Sequence, residues 1–268
     1  MTIRIVVAGV TGWVGRALVP AIVAAPDLEL AGAVARGAAG RDAGEAAGGS
    51  ALGVPVHATL AEALAAPSDV VVDYTKPAYV KGHVLAALAA GRHVVVGTSG
   101  LGADDYAEID RAARAAGRGV LAAGNFSVTA TLLRRFALEA ARYVPDVEVI
   151  DYAAAGKPDV PSGTARELAE MLAGVERRPA ARPVAELSGL RDTRGAQVGQ
   201  GTPVPVHSVR MPSFVLSCEV VFGLPDERLV IRHDAGSSAA PYVAGTLLAA
   251  RRVGEAVGLR RGLDSLMG

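Results

Sequence analysis

Lys157-Pro158-Asp159-Val160-Pro161-Ser162-Gly163-Thr164-Ala165 sets an ammonium, two hydroxyls and a glycine around the predicted start of a helix. Those are the donors that a carboxylate needs, and the helix dipole adds to their attraction. Thr164-Ala165-Arg166-Glu167 has the form of a capping box, so the helix is predicted to start at Thr164, with Ala165, Leu168, Ala169 and Leu172 on one face. Ser162 and Gly163 then lie in the entering turn, and Lys157 closes the pocket from the other side. The plainer alternative is a capped helix with an exposed lysine. Just upstream, Ala153-Ala154-Ala155 ends a strand with no side chain able to give or take a proton. The segment therefore reads as an anion site that lacks an obvious acid.

A second constellation lies at the other end of the chain. Gly9-Val10-Thr11-Gly12-Trp13-Val14-Gly15 follows the β-branched run Ile3 to Ala8 and precedes a helical stretch from Arg16 to Ala25. Glycines there let the backbone approach a pyrophosphate, whose charge faces the free N–H groups of the helix. A purely structural turn is the alternative. The end of the second strand reads Ala35-Arg36-Gly37, with no carboxylate for a ribose hydroxyl, so Arg36 favours NADPH, with NADH as the second choice.

The elements that must position these residues alternate in the first half. Strands are predicted over 28–35, 70–72 and 93–96, and helices over 78–90 and 103–116. Nearly continuous apolar strands separated by helices imply a parallel sheet covered on both faces. Ligands of such sheets sit at the carboxyl ends of the strands. Asp73-Tyr74-Thr75 and Gly97-Thr98-Ser99-Gly100 fall there, and Asp73, Thr75 and Thr98 are predicted to line the nicotinamide side. Beyond residue 124 a helix (129–143) is followed by strand-like pieces at 147–153, 204–211, 214–222 and 228–233, and by a helical tail. The fold expected is α/β: a Rossmann-type parallel sheet over 1–124, joined by a C-terminal helix 240–268, plus an α+β domain with an open mixed sheet over 125–239. The Pro-, Gly- and Arg-rich stretch 177–205 reads as a long loop that carries function or meets a partner chain.

Composition excludes several classes. Lys plus Arg and Asp plus Glu number 27 each, so no charge footprint exists for nucleic acid or an acidic membrane. No apolar run approaches the ~18 residues of a membrane span. The single cysteine, Cys218, forms no internal disulfide, and the five histidines lack metal-ligand spacing. A cytoplasmic protein without a metal is expected.

Gly9 to Gly15, Asp73-Tyr74-Thr75, Gly97-Thr98-Ser99-Gly100, Asn125-Phe126-Ser127, Lys157 to Ala165, His207-Ser208-Val209-Arg210 and Ile231-Arg232-His233-Asp234 follow one another in the order and spacing of dihydrodipicolinate reductases. By these the chain resembles that family over nearly its whole length. The resemblance implies an NAD(P)H-dependent reductase of a small cyclic carboxylate or dicarboxylate in lysine and diaminopimelate synthesis, assembled as a homotetramer. It implies cofactor contacts at Gly9, Thr11, Gly12, Trp13, Val14, Gly15, Arg36, Asp73, Tyr74, Thr75, Gly97, Thr98, Ser99, Gly124, Asn125 and Phe126. It implies substrate contacts at Lys157, Ser162, Gly163 and Thr164.

One departure bears on the chemistry. The family's strand ends in Glu-x-His-His before the lysine, with the first histidine as proton donor. Here Asp151-Tyr152-Ala153-Ala154 stands, and Leu216-Ser217-Cys218-Glu219 replaces a second histidine-bearing segment. General acid catalysis supplies about 10²- to 10⁴-fold, so its loss weakens hydride transfer without abolishing it. Lys157, Asp151 and Tyr152 are the catalytic candidates. Asp151 would need a pKa well above ~3.9 to act as an acid, and Tyr152 could simply pack in the core. Three readings stand: a reductase with a shifted substrate, acting on a C=N or conjugated C=C bond; the lysine-pathway reductase with a substitute donor; and a non-catalytic NADPH-binding relative, against which the retained clamp argues. A polyol or amino-acid dehydrogenase is the runner-up.

Overall fold

The computed structural model describes residues 2–267. They divide into two compact units, 2–128 with 239–267, and 129–238. In the first, strands β1 (Ile3–Ala8), β2 (Leu28–Val34), β3 (Val56–His57), β4 (Val70–Asp73), β5 (His93–Val96) and β6 (Gly119–Ala122) alternate with helices α1 (Trp13–Ala24), α2 (Ala43–Ala47), α3 (Leu60–Ala63), α4 (Pro77–Ala89) and α5 (Ala103–Ala116). The second unit takes most of α6 (Val128–Ala140), then β7 (Asp146–Ala153), α7 (Gly163–Ala173), β8 (Ala196–Val198), β9 (Val204–Arg210), β10 (Leu216–Leu224) and β11 (Glu227–Ala235). The chain then returns to the first unit with α8 (Ala240–Arg252) and β12 (Gly258–Arg261).

The first sheet has the order β12-β6-β5-β4-β1-β2-β3, with every pair parallel. Every residue of β4 and β6 is buried, because helices cover both faces and leave the valine-rich strands no polar side. The direction of winding reverses between β1 and β4, which makes their carboxyl ends the switch point of the sheet.

The second sheet has the order β11-β10-β7-β9-β8 and is mixed: β7 and β9 run parallel and the other pairs antiparallel. Along β7 burial alternates with a period of two, so Val147, Val149, Asp151 and Ala153 point to one face. That face packs Leu168, Ala169 and Leu172 of α7 and Leu133 and Ala137 of α6.

Several expected boundaries move. Helix α1 begins at Trp13, directly after Gly12, and α7 begins at Gly163, ahead of the expected Thr164. The expected helix 240–268 stops at Arg252. Beyond it Gly258, at φ 98°, breaks the helical path and β12 adds an edge to the first sheet. The long loop 177–205 holds two 3-10 turns and the short strand β8. Buried Arg177 ties it down by donating to the carbonyls of Leu172, Pro145 and Thr202. No helix among the described residues is long and apolar enough to cross a membrane.

Candidate functional site

At the switch point the β1–α1 turn is built by close backbone approach. A Cβ on Gly9, at φ 90°, would sit 2.4 Å from the Tyr74 carbonyl oxygen, and one on Gly15 would sit 2.2 Å from the carbonyl of Gly9. Only glycine allows the turn to fold this tightly against the start of α1. Gly12 is the N-cap and supplies no side-chain cap, and the first turn of α1 has no acidic residue. The N–H groups of Trp13, Val14 and Gly15 lack helical acceptors by geometry and point into the turn. The donors of this cradle suit a pyrophosphate.

Trp13 is 56% exposed and meets Tyr242 of α8 edge-on at 5.5 Å. The Thr11 carbonyl accepts from Arg16 Nε at 3.1 Å, and Val14 packs into the core.

Asp73 organises the neighbouring strand ends. It is fully buried, and its Oδ1 accepts from Thr75 N–H (3.0 Å), Thr75 Oγ1 (2.8 Å) and Thr98 Oγ1 (2.7 Å). Its Oδ2 meets His83 Nδ1 at 2.7 Å. Burial opposes ionisation, but the hydrogen bonds from His83, Thr98 and Thr75 outweigh it and hold the carboxyl below its usual range. Asp73 therefore positions Thr75 and Thr98 and offers no free oxygen of its own.

Tyr74 also turns inward. Its ring lies where a Cβ on Gly97 would be, 2.2 Å from a ring carbon, and its hydroxyl bonds Thr246 of α8 at 2.7 Å. Burial pushes that phenol well above its usual range. Phe126, almost wholly buried, meets the Tyr74 ring edge-on at 6.0 Å. The side chains of Tyr74 and Phe126, expected to touch cofactor, are thus core supports for the strand ends. Ser99 and Gly124 are exposed, and Asn125 Oδ1 is taken up by the N–H of Ser127 at 2.8 Å. Arg36 is exposed and lies over the Tyr79 ring.

In the second unit the Lys157–Thr164 segment is knit differently from its sequence reading. Ser162 is the N-cap of α7, but it gives its side chain to Asp151: Oγ donates to Oδ1 at 2.7 Å and N–H to Oδ2 at 2.8 Å. Oδ2 also takes Arg210 Nη2 at 2.7 Å and Ser208 Oγ at 3.3 Å. Both oxygens of this fully buried carboxylate are thus engaged, with a guanidinium beside it. Asp151, expected as a catalytic candidate, anchors the turn in this arrangement. Arg210 Nη2 also reaches the Asp159 carbonyl at 2.8 Å and so fixes both ends of the loop.

Tyr152 faces the other way, as the pleat requires. Its ring packs on Phe214 (4.9 Å) and under the Arg232 guanidinium (4.9 Å), on the face of β7 opposite the one that holds Ser162. Burial, then the charge of Glu219, raise its phenol further, so it keeps its proton, but not beside the clamp. Lys157 Nζ pairs with Asp159 Oδ1 at 2.6 Å. The ammonium holds the Asp159 carboxyl below its usual range, with a smaller contribution from the Gly163 N–H. Two of the donors expected to meet a substrate carboxylate thus meet an internal one. Thr164 is half-buried in the first turn of α7.

Sequence reasoning gave no role to His83, Tyr79, Asp159 or Arg210. His83 and Tyr79 stand four apart on α4, a spacing that could have marked them. Arg210 reaches Asp151 across the β7–β9 register, for which the sequence carries no local sign.

A glycine cradle at the switch point of a doubly wound sheet, in a chain that also carries a unit with a mixed sheet, is an architecture found among NAD(P)H-dependent oxidoreductases. Residues 3–126 match the family model described as dihydrodipicolinate reductase, N-terminus, and residues 129–266 its C-terminus counterpart. The chain belongs to the dihydrodipicolinate reductase family. It is 39% identical to the 4-hydroxy-tetrahydrodipicolinate reductase of Synechococcus elongatus, over 99% of this chain and 98% of that one. It is 37% identical to the enzyme of the same name from Synechocystis sp., again over 99% and 98%. Among solved structures it resembles a dipicolinate-bound dihydrodipicolinate reductase from Paenisporosarcina sp. TG-14, with 28% identity, a TM-score of 0.82 and 99% of both chains covered. An amine dehydrogenase from Mycobacterium smegmatis, 18% identical with a TM-score of 0.65 over 97% of this chain and 95% of that one, shares the fold alone.

Proposed function

We propose that the chain uses NADPH to reduce a C=N or conjugated C=C bond of a small cyclic carboxylate, and that its substrate differs from that of its named relatives. The observation that carries this reading is the end of β7. Ala153 is wholly buried, Ala154 to Gly156 bear no ionisable group, Asp151 is consumed by Ser162 and Arg210, and Tyr152 lies on the opposite face. A substrate that arrives as a protonated iminium needs no acid in the chemical step, and such a site suits it.

The bound nicotinamide supplies the hydride. In this reading the Gly9–Gly15 turn and the start of α1 hold the pyrophosphate, and Arg36 holds the 2′-phosphate. Thr75 and Thr98, fixed by Asp73, line the nicotinamide side. Lys157, Gly163 and Thr164 hold the substrate carboxylate, while Ser162 shapes the turn through Asp151. A cytoplasmic setting and self-association as a homotetramer belong to the same reading, in keeping with the half-exposed Leu229 and Val230 on β11.

The identity to the cyanobacterial reductases favours a second reading, 4-hydroxy-tetrahydrodipicolinate reduction with Lys157 as the remaining cation at the clamp. NADPH consumption separates the two. The first expects turnover with a cyclic imine carboxylate and none above background with 4-hydroxy-tetrahydrodipicolinate. Faster turnover of the latter than of any cyclic imine tried would establish the second reading in its place.

A further inference from the structure

Arg36 opens the 3-10 turn that follows β2, and among the described residues no hydrogen bond or ion pair engages its guanidinium. What holds it is an aromatic face. Its Cζ lies 4.6 Å from the centroid of the Tyr79 ring, in the first turn of α4. One turn further along, the His83 ring lies nearly parallel to that of Tyr79, at 21° and 6.3 Å between centroids. His83 is in turn fixed by Asp73 at 2.7 Å. A column of planar groups therefore leads from a buried carboxylate to an exposed guanidinium.

The mode of contact decides what Arg36 can still do. A guanidinium carries five N–H donors in its own plane, and a salt bridge consumes them from the edge. Stacking consumes none, because the ring meets the face of the cation. The edge is left open and held in place, which is the arrangement that accepts a phosphate in bidentate fashion. The nearby cation Lys81 shows the contrast: it is spent on Asp105 (2.9 Å) and Glu108 (2.6 Å).

We propose that Tyr79 is a positioning residue that sets the cofactor preference, by holding the Arg36 guanidinium ready for the 2′-phosphate of NADPH. The inference rests on the reading of Arg36 given under Proposed function, and goes beyond it by assigning the selectivity to a pair. The column also explains why the support is firm: Tyr79 is backed by a histidine that Asp73 locks, so the ring cannot swing away without losing its own partner. An exposed cation–π contact corresponds to about 2- to 5-fold in affinity.

The test is calorimetry on the full chain with two probes, adenosine 2′,5′-bisphosphate and adenosine 5′-monophosphate. Tyr79→Ala is expected to weaken the bisphosphate about 2- to 5-fold and to leave the monophosphate unchanged. Tyr79→Phe, which keeps the ring, is expected to bind both as the parent does. In an Arg36→Ala background the Tyr79→Ala change is expected to cost nothing more. If Arg36→Ala leaves bisphosphate binding intact, the phosphate reading of Arg36 fails and the proposal with it. If Arg36→Ala weakens it but Tyr79→Ala does not, Arg36 stands and the role of Tyr79 is overturned. Equal weakening of both probes by Tyr79→Ala also overturns it, since the ring would then serve the shared adenosine.

Discussion

Asp159 gives the proposed carboxylate clamp an occupant from within the chain. Its oxygen sits 2.6 Å from Lys157 Nζ, and the Gly163 N–H adds to the hold. A substrate carboxylate that uses Lys157 must displace this pairing. The pair is partly exposed, and such ion pairs are worth about 0–1 kcal/mol, so the competition amounts to about 5-fold at most. Asp159→Asn is therefore expected to bind pyridine-2,6-dicarboxylate more tightly by up to about 5-fold, and Lys157→Ala more weakly; calorimetry reads both. Unchanged affinity in both variants would remove Lys157 and Asp159 from the site. The sequence made this segment legible as an anion site because a lysine, a serine and a threonine share one short stretch. It could not reveal that the Ser162 hydroxyl serves Asp151. That bond depends on β7 laying Asp151 against the start of α7, and on Arg210 arriving from β9.

Among the elements, long apolar strands and helices were readable because their burial is written in composition, as in β4, β5 and α5. The two- and three-residue strands β3 and β8 were not, because their pairing is imposed by β2 and β9. Strand β6 was missed for a similar reason: Gly119 opens it, and β5 and β12 define it from either side. His93, at the start of β5, carries a consequence for pH. Its Nδ1 accepts from the Gly119 N–H at 2.9 Å, and burial, then the charge of Arg118, push its pKa down. The folded state thus prefers the neutral ring, while the unfolded chain takes up a proton near ~6.5. Below that value the unfolded state binds more protons, so this contribution to stability is full above ~6.5 and is lost as pH falls toward the lowered folded pKa. Urea midpoints are expected to drop as pH falls below about 6.5, and His93→Gln is expected to flatten that slope. An equal slope in the variant would place the titration elsewhere.

At the scale of the whole molecule, the first unit is made from both ends of the chain. Val253, Leu263 and Leu266 lie in its core with at most 1% exposure. Burying each such side chain contributes about 1.5–3 kcal/mol, so together they rival the ~5–15 kcal/mol by which a domain is stable. A chain ended after Arg252 is expected to lose cooperative unfolding of the first unit, read by circular dichroism in urea. A sharp transition at the parent's midpoint would contradict this. The same return of the chain sets an order in time. β12, which covers the outer edge of β6, leaves the ribosome after every other strand of its sheet. Throughout synthesis of everything before it, the N-terminal strands wait with one sheet edge uncovered, open to pairing with other nascent chains. This architecture therefore ties successful folding in the cell to the speed of elongation through the second unit, and to chaperones that shield an unfinished sheet.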